Sequence, residues 1–195
     1  MLYSCIRAIL RVILLFLGLK IEGINNIPPT GPVIVAANHV SIWDPIVVGI
    51  AIDRPVHFIA KSELFKNKIL GKLLLKLNAF PVKRGSADKT AFRTALKILE
   101  GGNVLGIFPE GSRNKLGEES KPHHGVAMFS IKTGAAVIPI ACIGTRTAIP
   151  CGWFKPFKVK IGKPLYYTQG GIKYNNDNIE AISNRIMMEI NNLFN

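Results

Sequence analysis

Short apolar runs alternate along the chain with longer segments in which apolar residues recur every three or four positions. The short runs predict strands, and a run that is apolar throughout predicts a strand buried on both faces of a sheet. These runs lie at 33–37, 56–60, 79–82, 104–108, 137–142 and 157–161. The periodic segments predict helices at 46–52, 61–77, 87–100, 125–132 and 179–194. Such alternation predicts an α/β fold with a mostly parallel central sheet flanked by helices.

The first 22 residues are predicted to form a separate hydrophobic and amphipathic helix, followed by a single domain over 23–195. A stretch rich in Gly and Pro, at 23–32, marks the boundary. The helix is apolar on all sides from Val12 to Leu19, so this part must contact protein or lipid. Its apolar run is too short to span a bilayer, and no cleavage site typical of a secretory signal peptide follows it.

Two interpretations of this helix remain open. It packs on the core of the domain, or it lies in a membrane interface as an N-terminal membrane-associating helix. In the second case Arg7 and Arg11 face the lipid headgroups, and Phe16 is among the membrane-contacting residues.

The chain is strongly basic, with 25 Lys and Arg against 12 Asp and Glu in 195 residues, a formal charge of +13. Hydrophobic residues make up 48%, which excludes a disordered chain. Such a charge attracts nucleic acid, anionic membranes or acidic proteins, and the high hydrophobicity favours the membrane. A nucleic-acid partner is not expected, because aromatic platforms and binding motifs are absent.

The three cysteines are scattered and have no metal-binding spacing with the histidines. The sequence therefore predicts a reducing compartment and no metal site.

A second candidate membrane surface is the predicted helix over 61–77. Lys68, Lys72 and Lys76 follow one another at intervals of four, and leucines occupy another face. A basic amphipathic helix is typical of a membrane surface, although a core-packing helix with a solvated lysine stripe has the same pattern.

Polar residues follow several of the predicted strands, where α/β proteins bind their ligands. His39 and Asp44 follow the strand at 33–37. A histidine there can act as a base near neutral pH, and the carboxylate can orient it if the intervening residues turn tightly. The alternatives are a structural histidine and, for Asp44 before Pro45, a helix N-cap.

Two further clusters follow later strands. Lys83 and Arg84 precede a glycine, which suits phosphate binding or a pair of solvated cations. The strand at 104–108 leads to a Pro and then to an acid, a glycine, a hydroxyl and a guanidinium, at Glu110, Gly111, Ser112 and Arg113. This cluster suits a ligand site or an ordinary turn with an exposed Glu–Arg pair. The chain has no G-x-S-x-G elbow and no phosphate-binding loop of the G-x-x-x-x-G-K-[ST] type. A site with a base, an acid and cations but no covalent nucleophile suits direct transfer to a hydroxyl that the histidine activates.

These residues resemble the motifs of the glycerolipid acyltransferases. Asn38-His39 with Asp44 resembles their NHx4D motif, and Glu110-Gly-Ser-Arg113 resembles EGTR with Ser for Thr. Phe80–Arg84 and Val137–Ile140 resemble two further blocks, and all four occur in family order within 33–142. The size is similar to that of the bacterial 1-acyl-sn-glycerol-3-phosphate (lysophosphatidic acid) acyltransferases.

The resemblance implies that His39 deprotonates the acceptor hydroxyl and that Asp44 orients His39. It implies phosphate binding by Arg84 and Arg113, assisted by Lys83, in a site shaped by Glu110 with the backbone of Gly111 and Ser112. The acyl donor is a thioester of CoA or acyl carrier protein, and no other cofactor is expected.

The implied reaction converts lysophosphatidate to phosphatidate in phospholipid synthesis. The implied location is the cytoplasmic leaflet, on anionic lipids, with acyl carrier protein as a further partner. Alternatives are acylation of glycerol 3-phosphate, of another lysophospholipid or of an aminolipid, and a non-enzymatic lipid-binding module.

Overall fold

The computed structural model describes residues 2–83, 88–113, 122–148, 157–167 and 175–195. Its α-helices are α1 (Leu2–Phe16), α2 (Asp44–Ala51), α3 (Lys68–Lys76), α4 (Lys89–Glu100), α5 (Gly125–Thr133), α6 (Thr145–Ala148) and α7 (Asn176–Asn192). Its strands are β1 (Leu19–Glu22), β2 (Val33–Ala37), β3 (Val56–Lys61), β4 (Phe80–Val82), β5 (Val104–Ile107), β6 (Ala136–Ile143) and β7 (Phe157–Ile161).

The strands form one sheet in the order β1-β7-β6-β2-β5-β3-β4. Neighbours pair in parallel except at β6 and β7, which pair antiparallel. The predicted α/β fold with a mostly parallel sheet is therefore confirmed. The six strands predicted from apolar runs are all present, each within one residue of its predicted ends.

Helices cover both faces of the sheet. The residues of β2 show why, since Val33, Val35 and Ala37 belong to one hydrophobic cluster and Ile34 and Ala36 to the other. Alternate side chains of a strand point to opposite faces, so a continuously apolar strand needs a layer on each side. Helices α1 and α2 supply one layer, and α4, α5 and α7 supply the other.

The N-terminal segment differs from its prediction as one helix over residues 1–22. Helix α1 ends at Phe16, and Gly18 then adopts a left-handed conformation with φ of 99°. Residues Leu19–Glu22 form β1, which pairs with β7 at the edge of the sheet. Glycine tolerates this φ at little cost, so it ends the helix and turns the chain into the sheet. The segment is therefore part of the domain core, where Leu14 and Leu19 are buried.

Arg7 and Arg11 do not take the orientation expected if this helix lies in a membrane interface with its arginines toward the headgroups. Arg7 donates to the carbonyl of Ile52 at 2.6 Å, and Arg11 pairs with Asp53. Both acceptors lie just after the C-terminus of α2, where carbonyls lack helical partners and a cation is favoured. The arginines therefore face the domain, whereas Phe16 is 77% exposed.

The helix predicted over 61–77 is divided in two. Strand β3 continues to Lys61, a 3₁₀ turn covers Ser62–Lys66, and α3 begins at Lys68. The division occurs at Asn67, whose side chain accepts from the amides of Ile69 and Leu70 and so caps α3. Within the described parts of the chain, no helix has both the length and the apolar character needed to cross a bilayer.

The parallel strands bring their carboxyl ends to one edge of the sheet. Ala37 at the end of β2 pairs with Ile140 of β6, and Ala36 pairs with Ile107 at the end of β5. The residues that follow β2, β5 and β6 therefore meet at this edge. On the far side of β5, β3 and β4 end at the same edge with Lys61 and Val82 in register.

Gly106 in β5 gives Phe58 of β3 the space it occupies. The two residues are in register, and a Cβ at position 106 would lie 2.3 Å from the Phe58 ring. We expect Gly106→Ala to lower the free energy of unfolding by about 1–3 kcal/mol, because the ring must leave its position. Urea unfolding of the variant and the parent protein measures this change.

The matched control is Gly125→Ala, where a new Cβ meets only ordinary contact with Phe129 at 3.9 Å. In a Phe58→Ala background the cost of Gly106→Ala should disappear. An unchanged cost in that background would contradict the assigned contact.

Candidate active site

His39 and Asp44 are joined by a hydrogen bond across the loop between β2 and α2. The distance from Nδ1 of His39 to Oδ2 of Asp44 is 3.0 Å. The loop turns tightly, since the amide of Asp44 donates to the carbonyl of Ser41 and the Ser41 hydroxyl accepts from the Trp43 amide. His39 and Asp44 are five positions apart in the chain, and this tight turn brings their side chains into direct contact.

The carboxylate of Asp44 is fully buried, with 0% exposure, and has four donors. Oδ2 accepts from the amides of Val40 at 2.7 Å and Ser41 at 2.6 Å as well as from His39. Oδ1 accepts from the hydroxyl of Thr145 at 2.6 Å. The N-cap interpretation of Asp44 is wrong, because the carboxylate points back into the preceding loop and α2 begins with Asp44 itself. Its position in the first turn still favours the negative charge.

These donors fix the tautomer of His39. An oxygen that already accepts from the amides of Val40 and Ser41 is an acceptor, so Nδ1 of His39 must donate to it. Nε2 then keeps its lone pair and is available to take a proton. The ring is held from its face by Phe108, at 4.2 Å between centroids and 22° between planes. Phe108 in turn stacks on Phe58 at 5.9 Å.

Glu110 joins the loop after β5 to the histidine. Its Oε2 accepts from the backbone amide of His39 at 3.1 Å, and the residue is 8% exposed. Burial raises the pKa of Glu110 to about 7, the His39 amide opposes this, and the charge of Asp44 adds to it. The carboxyl group of Glu110 therefore titrates near neutral pH while in contact with the backbone of His39, the candidate base.

The remainder of this loop turns at Gly111, which has φ of 69° and donates to the carbonyl of Phe108. Ser112 and Arg113 follow it and are exposed. The ring of His123 lies against Gly111, where a Cβ would be 2.4 Å from its Cδ2 and Nε2. A glycine at position 111 thus allows the close approach of a neighbouring side chain.

The predicted phosphate-binding cations lie farther out. Lys83 follows β4, three strands away from β2, and its side chain is exposed. Arg84 lies outside the described residues. Lys61, which the sequence analysis did not single out, ends β3 between the loops of Lys83 and Arg113. Neighbouring strands are about 4.8 Å apart, so these loops border one stretch of the sheet edge.

Two polar residues of the site carried no predicted role. The Asn38 side chain accepts from the amide of Cys142 at 2.6 Å and donates to its carbonyl at 3.1 Å. Thr145 is the first residue of α6, the short helix that follows β6. In the sequence, both residues could be noticed only as polar positions that follow an apolar strand. Their contacts depend on β6 lying next to β2, which only the sheet order shows.

Cys142 is not a nucleophile candidate, because burial strongly raises the pKa of its thiol. Among the described residues, no group of three His, Cys, Asp or Glu side chains could hold a metal ion.

Glu110→Gln should change how stability depends on pH. The pKa of Glu110 is raised from its ordinary value of 4.5 to about 7 in the folded protein. Between these two pH values Glu110 keeps its proton in the folded protein but has lost it in the unfolded chain. The wild-type free energy of unfolding therefore falls as pH rises through this window, by up to about 3 kcal/mol relative to the Gln variant. Urea unfolding of both proteins from pH 4.5 to 8 measures the difference, and a constant difference would contradict the raised pKa.

Comparisons with known proteins agree with this arrangement. A family model described as Acyltransferase matches residues 18–143. The chain is 29% identical over 194 residues to the 1-acyl-sn-glycerol-3-phosphate acyltransferase of Bacillus subtilis, covering 98% of this chain and 96% of that protein. It is 35% identical over 126 residues to the lyso-ornithine lipid O-acyltransferase of Pseudomonas aeruginosa, covering 63% of this chain and 47% of that protein.

A solved structure is also similar. The crystal structure of the 1-acyl-sn-glycerophosphate (LPA) acyltransferase PlsC from Thermotoga maritima matches with a TM-score of 0.70 and 28% identity, covering 92% of this chain and 72% of that one. The family match includes β2, β5 and β6 together with the loops that hold His39, Asp44 and Glu110. The chain belongs to the acyltransferase family.

Proposed function

We propose that this protein transfers an acyl chain from a thioester to the free hydroxyl of lysophosphatidate, giving phosphatidate. The observation that carries the proposal is the hydrogen bonding of Asp44, which leaves Nε2 of His39 as a free base at the edge of the sheet. The relatives named as 1-acyl-sn-glycerol-3-phosphate acyltransferases support the choice of acceptor.

In the proposed reaction His39 acts as a general base. Nε2 takes the proton of the acceptor hydroxyl as its oxygen attacks the thioester carbonyl carbon. The resulting tetrahedral intermediate collapses with cleavage of the C–S bond, and the departing thiolate takes the proton back from His39. Asp44 stabilises the transient imidazolium and keeps the ring oriented. A thioester is already activated, so the proposed step uses no metal ion and no ATP.

The cations along the same edge suit the phosphate of the acceptor. Arg113 is exposed at the turn that begins with Glu110, Lys61 ends β3, and Lys83 directly follows β4. Arg84, which lies outside the described residues, is a further phosphate-binding candidate by resemblance to the family motif. A phosphomonoester held by several cations fixes the distance between its glycerol hydroxyl and the base, and positioning of this kind contributes strongly to rate.

A second acceptor class has specific support. The Pseudomonas relative is named for a lyso-ornithine lipid, an aminolipid, so the acceptor of this chain must be measured rather than assumed from the fold. The thioester donor, CoA or acyl carrier protein, is likewise open to direct comparison, and a role in phospholipid synthesis follows if phosphatidate is the product.

We also propose that the protein binds a membrane through α1 and α3. Five apolar residues on the outer side of α1 are exposed, namely Ile9, Val12, Ile13, Leu15 and Phe16. On α3 only Gly71 is buried, whereas Ile69 is 84% exposed and Leu73 and Leu75 are also exposed. A helix with lysines and exposed aliphatic side chains is typical of a membrane surface.

Both surfaces lie toward the edge of the sheet that carries His39. Lys20 of β1 is in register with Lys158 of β7, and Lys158 with Ile143 at the carboxyl end of β6. The C-terminal end of α1 therefore reaches this edge, and α3 follows closely after the end of β3. Free thiols at Cys5 and Cys142 support the cytoplasmic leaflet, since reducing compartments keep cysteines unpaired.

The first test is acyl transfer by purified protein in detergent, with acyl-CoA and acyl carrier protein donors and with lysophosphatidate, glycerol 3-phosphate and lyso-ornithine lipid as acceptors. We expect phosphatidate formation, and we expect His39→Ala to lower kcat by at least about 100-fold because the general base is lost. His57→Gln is the matched control, since His57 lies on β3 and contacts the carbonyl of Val104.

Activity that survives in folded His39→Ala protein would contradict the assignment of the base. A wild-type preference for lyso-ornithine lipid would replace the acceptor and leave the mechanism in place. Failure with every donor and acceptor would favour a lipid-binding module.

Membrane binding is tested by flotation with vesicles of phosphatidylcholine alone or mixed with phosphatidylglycerol. We expect Ile69→Ser with Leu75→Ser to weaken binding to both vesicles, since exposed apolar area is lost. Replacing Lys68, Lys72 and Lys76 by Gln should remove the preference for anionic vesicles, because each such cation contributes about 1 kcal/mol near an anionic surface.

On α1 the corresponding change is Val12→Ser with Phe16→Ser. Deletion of residues 1–20 is unsuitable, because it removes the buried Leu14 and Leu19 from the core. Met188→Ser on α7 controls for loss of an exposed apolar side chain elsewhere. Full binding by both double variants would contradict the assigned surface.

A further inference from the structure

We propose that Thr145 is a positioning residue for acyl transfer, which keeps the carboxylate of Asp44 turned toward His39. Its hydroxyl donates to Oδ1 of Asp44 at 2.6 Å, and both residues have 0% exposure. The inference rests on the proposed function, because it acts through the histidine that the proposed reaction uses.

The two oxygens of Asp44 have different surroundings. Oδ2 accepts from His39 and from two backbone amides, whereas Oδ1 accepts from Thr145 and from no other group among the described residues. The terminal torsion of an aspartate is soft, so the plane of the carboxylate is held most firmly when donors reach both of its oxygens. The Thr145 hydroxyl fixes that plane and keeps Oδ2 aimed at Nδ1 of His39.

The backbone before Thr145 is tied to the strand that carries His39. Asn38 makes two hydrogen bonds to Cys142 in β6, three positions before Thr145. Gly144 then turns the chain with φ of 77°, and its carbonyl accepts from the amide of Thr147. Thr145 and His39 therefore follow two neighbouring strands, β6 and β2, which are also joined by the Asn38 side chain.

Threonine suits this role better than residues of similar size. Valine has the same shape but no donor, so it leaves a buried carboxylate oxygen unpaired. Serine keeps the donor but lacks the methyl group that restricts χ1. The hydroxyl also stabilises the negative charge of Asp44 in a site where Glu110 adds a second acid.

The kinetic test compares Thr145→Val, Thr145→Ser and Thr147→Val. We expect Thr145→Val to lower kcat by about 10- to 100-fold with little change in KM for lysophosphatidate, because orientation of the base is lost while acceptor binding is kept. Thr145→Ser should recover most of the activity. Thr147→Val removes a hydroxyl of the same short helix that donates to the carbonyl of Gly144, not to Asp44, and it should retain wild-type kcat.

A double-mutant cycle separates positioning from general stability. In an Asp44→Asn background Thr145→Val should cause no further loss of kcat, since the hydroxyl acts through the carboxylate. An equal loss in both backgrounds would overturn the proposal, as would wild-type kcat in folded Thr145→Val protein.

A second readout does not depend on any substrate. In protein labelled with ¹⁵N-histidine, the Nδ1 proton of His39 bonded to Asp44 should give a protected downfield resonance that His39→Gln removes. We expect Thr145→Val to weaken or abolish this resonance and Thr147→Val to leave it unchanged. If wild-type protein acylates none of the acceptors, the proposed function fails while this measurement still tests the contact. An unchanged resonance in Thr145→Val would overturn the positioning role.

Discussion

The buried carboxylate of Asp44 is the interaction on which the rest of the site depends. A charge without solvent is costly unless donors surround it, and here two backbone amides, an imidazole and a hydroxyl do so. The same hydrogen bonds that compensate burial close the loop between β2 and α2 and define the tautomer of His39. The hydrogen bonds that fold this loop are therefore the same ones that orient His39, since the loop amides and the imidazole donate to the same carboxylate oxygen.

Side chains that follow β2 and β5 hold this loop from both sides. Asn38 bonds to the backbone of Cys142, Glu110 accepts from the amide of His39, and Phe108 supports the imidazole face. The parallel register of β2 with β5 and β6 brings all of these groups to the same level. A base held by strand ends is positioned more rigidly than one carried by a free loop, which suits a reaction in which orientation supplies much of the rate.

The exposed surfaces of α1 and α3 suit the membrane contact proposed for this protein. Arg7 and Arg11 face the domain, so the exposed side of α1 is apolar, and α3 adds aliphatic side chains beside lysines. Both helices lie toward the edge with the proposed base, where Lys61 ends β3 and Lys83 follows β4. In the proposed reaction, an amphiphilic acceptor would thus present its phosphate and hydroxyl to the protein while its acyl chain remained in an apolar layer.

The sequence by itself determined the α/β fold, six of the seven strands of the mostly parallel sheet and the family motifs, because burial on both faces leaves continuous apolar runs and the motifs follow strand ends. It predicted contact between His39 and Asp44 only as one alternative, and it could not decide the direction of the Asp44 carboxylate, since an N-cap has the same local pattern. The tertiary structure alone decided the edge strand β1, the inward-facing arginines and the hydrogen bond from Thr145 to Asp44, which lies 101 positions away. These features depend on which strands are neighbours, and no local periodicity encodes that order.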